Sequence, residues 1–231
     1  MKVHLLEQHI DSFLAQQIQA SDTGWFFPHT LVHRFHTQWQ SLSDKGLKAT
    51  YDECLRSDIS SRWWKGDHYR PKEMMLELIE ADSELAMIAW KDLQQMQASL
   101  EGRVSRFGYY CDQLLEIHRS RHIDSIDSWH HQDAAIISLY LAGLFPETYT
   151  LYPGLVGFQN FCKAVGSPDI PKVDDLERYM KVAKIVFTFL QKNAQFEKFV
   201  LKRNAPGTKI PLLPFQVTFE VIVFAGKQVT R

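Results

Sequence analysis

Apolar residues recur at steps of three and four positions along most of this chain, the pattern of amphipathic α-helices. The spacing predicts a first helix over residues 3–20 and a second that begins after Pro28. The residues on the buried side of the first helix are Leu6, Ile10, Phe13, Leu14 and Ile18. The chain is therefore expected to be mainly α-helical.

The middle of the chain continues this pattern. Pro71 suits the first turn of a helix, and apolar residues at helical spacing predict one long helix from Lys72 to about Leu100. A further helix is predicted from Val104 to His118. Residues 134–144 are apolar on nearly all sides, which indicates a short helix at the centre of a bundle, with Asp133 as its N-cap.

Residues 174–190 carry the clearest helix signal. Asp174 and Asp175 precede Glu177, which is the arrangement of an N-cap with a capping-box acid. The residues predicted to form its buried face are Leu176, Met180, Ala183, Phe187 and Leu190. Between this helix and the apolar one, Pro146 should end the preceding helix near Gly143 to Phe145, because proline lacks an N–H group.

The pattern changes after Arg203. Prolines and glycine interrupt residues 204–214, and residues 215–221 alternate apolar and polar side chains as a half-buried strand does. Such a strand needs a partner, which is a poorly signalled strand of this chain, another chain or absent sequence, and absent sequence is favoured. The predicted organisation is an α-helical recognition or interaction domain (residues 1–203) followed by a Pro/Gly linker and orphan strand (residues 204–231). The expected fold class is a mainly α helical bundle with a short C-terminal β-like segment.

Charge is distributed unevenly along the 231 residues. The formal net charge is −1, which excludes a globally basic nucleic-acid binder. Residues 178–231 nevertheless contain ten Lys/Arg against two acids, whereas residues 1–177 contain 16 bases and 25 acids. This asymmetry favours a basic face near the C-terminus, which would suit phosphates or an acidic protein.

The cysteine pattern and the apolar runs bear on the compartment. Cys54, Cys111 and Cys162 are widely spaced and odd in number, so neither a disulfide framework nor a cysteine zinc site is predicted. The N-terminus lacks the apolar region of a signal peptide, and Ser138 interrupts the longest apolar run. A cytoplasmic protein without a membrane partner is expected.

Ten histidines raise the alternative of a metal-dependent enzyme. Two groups have helical spacing, namely His29, His33 and His36 in one and His118 and His122 in the other. Neither group has the H-E-x-x-H arrangement, and Arg119 and Arg121 would repel a cation. Catalysis by His130, His131, Cys111 or Cys162 has no sequence support beyond the residue types. No phosphate-binding loop is present, so the chain alone is not expected to hydrolyse GTP or ATP. No metal or other cofactor is predicted, and the chain alone is not expected to be an enzyme.

Two segments combine features suited to nucleic acid. The first segment places basic residues beside aromatic rings. Basic residues can neutralise phosphates, and aromatic rings can stack on nucleobases. Its candidate residues are Arg62, Trp63, Trp64, Lys65 and Arg70. The second is a basic helix surface, with Lys181, Lys184 and Lys192 as the candidates and Lys198, Lys202 and Arg203 continuing it. The alternatives are a loop anchored to the core by its tryptophans and a solvated helix face.

Residues 129–190 resemble a known family. The elements are an apolar helix, the turn Phe145-Pro-Glu-Thr-Tyr-Thr-Leu-Tyr152, a helix from Phe158 to Gly166 and the capped helix at 174–190. This arrangement resembles the helical region that precedes the AAA+ motor in relatives of 5-methylcytosine-specific restriction enzyme B. The resemblance implies an N-terminal recognition module of a phage-defence restriction system, without the motor domain.

The sequence thus predicts a non-enzymatic recognition module of a modification-dependent restriction-type NTPase. DNA is the expected ligand, and a nuclease subunit or an AAA+ motor domain are the partners that the resemblance implies. A protein-binding adaptor is a further alternative.

Overall fold

The computed structural model describes residues 1–20, 27–56, 68–122, 128–204 and 210–229. These residues form helices and turns and contain no strand, which confirms the mainly helical prediction. A 3-10 turn (Pro214–Gln216) precedes the last helix. The α-helices are α1 (Val3–Gln19), α2 (Phe27–Trp39), α3 (Leu42–Lys45), α4 (Leu47–Cys54), α5 (Pro71–Ala81), α6 (Ser83–Leu93), α7 (Leu100–Arg121), α8 (Ala134–Leu144), α9 (Gly154–Ala164), α10 (Leu176–Lys192), α11 (Ala194–Arg203) and α12 (Val217–Lys227).

The chain folds into two compact units. The first, which we call the terminal unit, combines Met1–His33 with Phe145–Arg231, and the second, the central unit, is Arg34–Leu144. Within the part of the chain that is described, no helix has the length and apolar character needed to cross a bilayer.

The last helix corrects the strand prediction. Residues 217–227 form α12, so the predicted β-like segment at 215–221 was wrong. Val217, Thr218 and Phe219 are consecutive and all buried. A helix that is buried on nearly all sides does not show the 3.6-residue period, because its polar positions no longer mark one solvent face. The short alternation of residues 215–221 therefore carried no strand information.

Helices α9 and α12 pack closely in the terminal unit. A Cβ atom built on Gly226 would lie 3.4 Å from both the Gly157 carbonyl oxygen and the Phe161 amide nitrogen. These distances are ordinary van der Waals contacts, so the two helices lie close together at Gly226. The aromatic turn of residues 145–152 belongs to the same core, since Tyr149 and Tyr152 are both buried.

In the central unit, aromatic rings form most of the core. The ring centroids of Trp90 lie 4.6 Å from Trp39 and 4.7 Å from Tyr140. Tyr140 belongs to α8, whose residues from Ile136 to Leu144 are all buried. The prediction of a central apolar helix that ends between Gly143 and Phe145 is confirmed.

The predicted helix from Lys72 to Leu100 is two helices, α5 and α6. Asp82 separates them with an extended backbone (φ −155°, ψ 99°), and its carboxylate accepts hydrogen bonds from the amides of Glu84 and Leu85. An aspartate in this position is an N-cap, so it starts a new helix instead of continuing the first. Turns then separate α6 from α7.

Candidate nucleic-acid interface

Helix α10 is held by an N-cap and a buried stripe. The Asp175 carboxylate accepts a hydrogen bond of 2.8 Å from the Arg178 amide, so the cap is Asp175 and not Asp174. Asp174 instead accepts a hydrogen bond of 2.9 Å from the Tyr152 hydroxyl. The buried residues of the helix are Leu176, Tyr179, Met180, Ala183, Val186 and Leu190. This anchoring fixes the direction in which the opposite side of α10 faces solvent.

The opposite side carries the predicted lysines. Lys181, Lys184 and Lys192 are all exposed, and 71% of the Lys181 side chain is accessible. At 3.6 residues per turn, the three positions lie within about a quarter of the helix circumference. They extend over roughly 16 Å of the axis at 1.5 Å per residue. We call these three residues the α10 lysine face.

Two of the lysines make weak local contacts. Lys181 forms an ion pair of 2.7 Å with Glu177 one turn earlier, and the Lys192 ammonium lies 6.0 Å from the centre of the Phe189 ring. Exposed pairs of this kind contribute about 0–1 kcal/mol, because water already solvates both charges. A phosphate group can therefore compete for these ammonium groups at little cost.

The bases at the end of α11 differ from those on α10. The Lys202 ammonium donates hydrogen bonds to the carbonyls of Ile18 (2.6 Å) and Ala20 (2.7 Å), at the C-terminal end of α1. Arg203 is buried, and its guanidinium donates to the side chains of Gln17 and Glu220. Both residues stabilise the terminal unit, so the predicted extension of the basic surface to Lys202 and Arg203 was wrong.

A histidine completes the buried network around Glu220. The Glu220 carboxylate lies 2.6 Å from His29 Nε2. His29 Nδ1 accepts a hydrogen bond from the Leu213 amide. Nδ1 is thus the unprotonated nitrogen, and Nε2 donates to Glu220. His29 and Glu220 thereby join α2 to α12, which is a structural role for this histidine.

The first predicted segment is described only at one end. Arg62, Trp63, Trp64 and Lys65 lie outside the described residues. Arg70 is described, and its guanidinium donates two hydrogen bonds to Glu77, of 2.8 and 3.1 Å. Arg70 is less suited to phosphate binding than Lys181, because its pair with Glu77 has two hydrogen bonds and its side chain is less exposed (38% against 71%).

The histidine groups are used in other contacts. In the first group, His36 Nδ1 donates to the Gly143 carbonyl at 3.0 Å. In the second group, the rings of His118 and His122 lie 4.6 Å apart. His118 Nε2 also lies 3.6 Å from a carboxylate oxygen of Glu77. In the described part of the chain, no group of three or more His, Cys, Asp or Glu residues is placed to hold a metal ion.

The cysteines are buried and protonated. Burial raises the pKa of the Cys54 thiol to about 12 and also raises the pKa values of Cys111 and Cys162. Because the thiolate is the nucleophilic form, these three side chains behave as small apolar groups.

A groove in the central unit combines apolar and charged residues. It has a volume of about 740 Å³ and is lined by parts of α4, α5 and α6. The lysines at its rim are paired with acids, Lys45 with Glu53 and Lys48 with Glu80, each at 2.6 Å. These lysines lower the pKa values of the two glutamates. The charges of the groove are thus balanced within the protein.

Comparison with known proteins finds no matching family model, no matching characterised protein and no matching solved structure.

Sequence analysis missed one surface cluster, around Trp129 in the central unit. Trp129 is 42% exposed and lies against Tyr69. The two residues are 60 positions apart, so no local spacing connects them. The only sequence signal is an aromatic residue next to two histidines at the start of a helix.

Proposed function

We propose that this chain is a non-enzymatic recognition module that binds DNA through the α10 lysine face. One observation carries the proposal, which is the placement of Lys181, Lys184 and Lys192 on one exposed side of a well-anchored helix. Lysines that neutralise phosphates release bound counterions, and this release supplies much of the affinity of proteins for DNA. Helix α10 also has the diameter of an element that fits the major groove.

Charge supports this choice of surface. Residues 176–203, which form α10 and α11, contain seven Lys/Arg against two glutamates. Two of these seven, Lys202 and Arg203, are committed to the terminal unit. The remaining five bases outnumber the two glutamates of these helices by three, although the whole chain is nearly neutral.

The larger assembly is proposed from the sequence resemblance alone. Under that proposal the module belongs to a modification-dependent restriction-type NTPase. The module recognises DNA, and an AAA+ motor recruits a nuclease subunit. An acidic protein surface is the alternative ligand for the α10 lysine face, because its carboxylates are negatively charged, as the phosphates of DNA are.

The experiment is a binding titration with fluorescently labelled duplex DNA, modified and unmodified, at low salt. Lys181→Gln/Lys184→Gln removes two charges from the α10 lysine face and should weaken binding at least tenfold. Lys163→Gln/Lys172→Gln removes two charges from exposed positions elsewhere in the terminal unit and should leave affinity nearly unchanged. Equal effects of the two double variants, or no binding by the wild type, would contradict the proposal.

A further inference from the structure

Trp129 presents an exposed ring that is supported from behind. Its centroid lies 6.1 Å from that of Tyr69 with an interplanar angle of 25°, and 4.9 Å from the ring of His131. The side chain remains 42% exposed. The ring therefore lies at the surface, packed against the rings of Tyr69 and His131, instead of being buried in the core.

The support is fixed by hydrogen bonds. The Tyr69 hydroxyl donates to Asp133 Oδ2 at 2.8 Å, and Asp133 Oδ1 accepts from the Ile136 amide at 3.0 Å, which caps α8. His131 has φ 59°, a left-handed backbone that non-glycine residues seldom adopt. Such conformations persist where the surrounding contacts hold them, and they concentrate at ligand sites.

Hydrogen-bonding groups lie beside the ring. His130 Nδ1 accepts from the Gln132 amide at 2.9 Å, so Nε2 carries the proton. Burial lowers the pKa of His130, so the imidazole is neutral at pH 7. Its Nε2 lies 3.6 Å from Asp112 Oδ1, and 69% of the Asp112 side chain is exposed. The exposed Asp112 carboxylate thus lies near His130, whose ring centroid is 6.0 Å from that of Trp129.

We propose that Trp129 is a stacking site for a nucleobase, with the exposed Asp112 carboxylate at the edge of the base. An indole ring stacks on planar heterocycles, and a carboxylate accepts from the N–H groups of a base edge. Guanine presents two adjacent donors to such a carboxylate and is the preferred base. The site goes beyond the proposed function, because it does not involve α10. The base can come from a free nucleotide or from an unpaired position in single-stranded DNA.

The test is calorimetric titration of the full chain with the four nucleoside monophosphates and with short single-stranded oligonucleotides rich in each base. Binding of the monophosphates identifies a nucleotide site, and binding of the oligonucleotides alone identifies an unpaired base in a strand. Trp129→Ala should weaken binding about 5- to 150-fold, the range found for loss of one stacked base. Trp129→Phe should have a smaller effect, because a ring remains.

Two further variants separate the contributions. Asp112→Asn should reduce the preference for guanine over uracil while stacking persists. Ile88→Ala removes an exposed apolar side chain from α6 (50% exposed), outside the proposed site, and should leave affinity unchanged. The proposal is overturned if neither nucleotide nor oligonucleotide binds at millimolar concentration, or if Trp129→Ala and Ile88→Ala act alike. Trp129→Phe keeps the test valid if Trp129→Ala does not fold.

Discussion

The hydroxyl oxygens of Tyr51 and Tyr140 lie 2.7 Å apart in the core of the central unit. Tyr140 donates its own proton to Gln132 Oε1 at 2.5 Å, so Tyr51 is the donor in the pair. Gln132 continues the chain by donating to the Pro71 carbonyl. Burial raises the pKa values of both tyrosines far above 10, so both remain protonated donors.

Because Tyr51 donates to Tyr140 and Tyr140 donates to Gln132, removal of the two hydroxyls should have unequal effects. Tyr140→Phe leaves both Tyr51 and Gln132 without their partner, and each unsatisfied buried group costs about 1–3 kcal/mol. Tyr51→Phe removes only a donor and should cost about 0.5–1.5 kcal/mol. Urea unfolding of the two variants measures the difference, with the exposed Tyr109→Phe as control. Equal destabilisation by the two buried changes would show that the direction is wrong.

Lys202 is predicted to affect stability and not DNA binding. Lys202→Met removes an ammonium that satisfies carbonyls at the end of α1, and hydrogen bonds to charged groups contribute about 1.5–3 kcal/mol each. Thermal unfolding should therefore show a lower Tm for Lys202→Met than for Lys198→Met, whose side chain is exposed. DNA affinity measured below the Tm should be nearly unchanged by Lys202→Met. A large loss of affinity with normal stability would return Lys202 to the binding surface.

His130 is predicted to make stability depend on pH. Its pKa in the folded protein is lowered by burial, so the unfolded chain takes up a proton at higher pH than the folded chain. The stabilisation is complete above about pH 6.5, the ordinary histidine value, and is lost as pH falls toward the lowered pKa. The free energy of unfolding of the wild type should thus decrease between pH 7 and pH 5.

The matching variant is His130→Asn, because its amide oxygen can still accept from the Gln132 amide in place of Nδ1. The decrease in stability with falling pH should be smaller in this variant than in the wild type. His4→Asn, at an exposed position, should keep the wild-type decrease. Identical pH profiles for all three proteins would show that His130 does not contribute.

Local signals in the sequence predicted the amphipathic helices. For α1 and α10, most of the predicted apolar stripe is buried, whereas Ile18 and Phe187 are only half-buried. Asp82 carried an N-cap signal inside a continuous apolar period, and the period alone could not show the break. For α12 the surrounding helices bury both polar and apolar positions, which no local pattern reveals.

The candidate site was predictable only in part. Charge and spacing placed Lys181, Lys184 and Lys192 on one helix face, because helical geometry relates nearby positions. The same charge count included Lys202 and Arg203, whose partners on α1 lie more than 180 positions away in the chain. Contacts over such distances depend on the packing of helices and are not encoded in local composition.

The most direct test of the account is the salt dependence of duplex DNA binding. Each phosphate contact contributes about 0.9 to the slope of log affinity against log salt concentration for B-DNA. If Lys181 and Lys184 each contact a phosphate, Lys181→Gln/Lys184→Gln should reduce the magnitude of this slope by about two. The control Lys163→Gln/Lys172→Gln should keep the wild-type slope. Wild-type slopes in both double variants would contradict the claim that the α10 lysine face binds DNA.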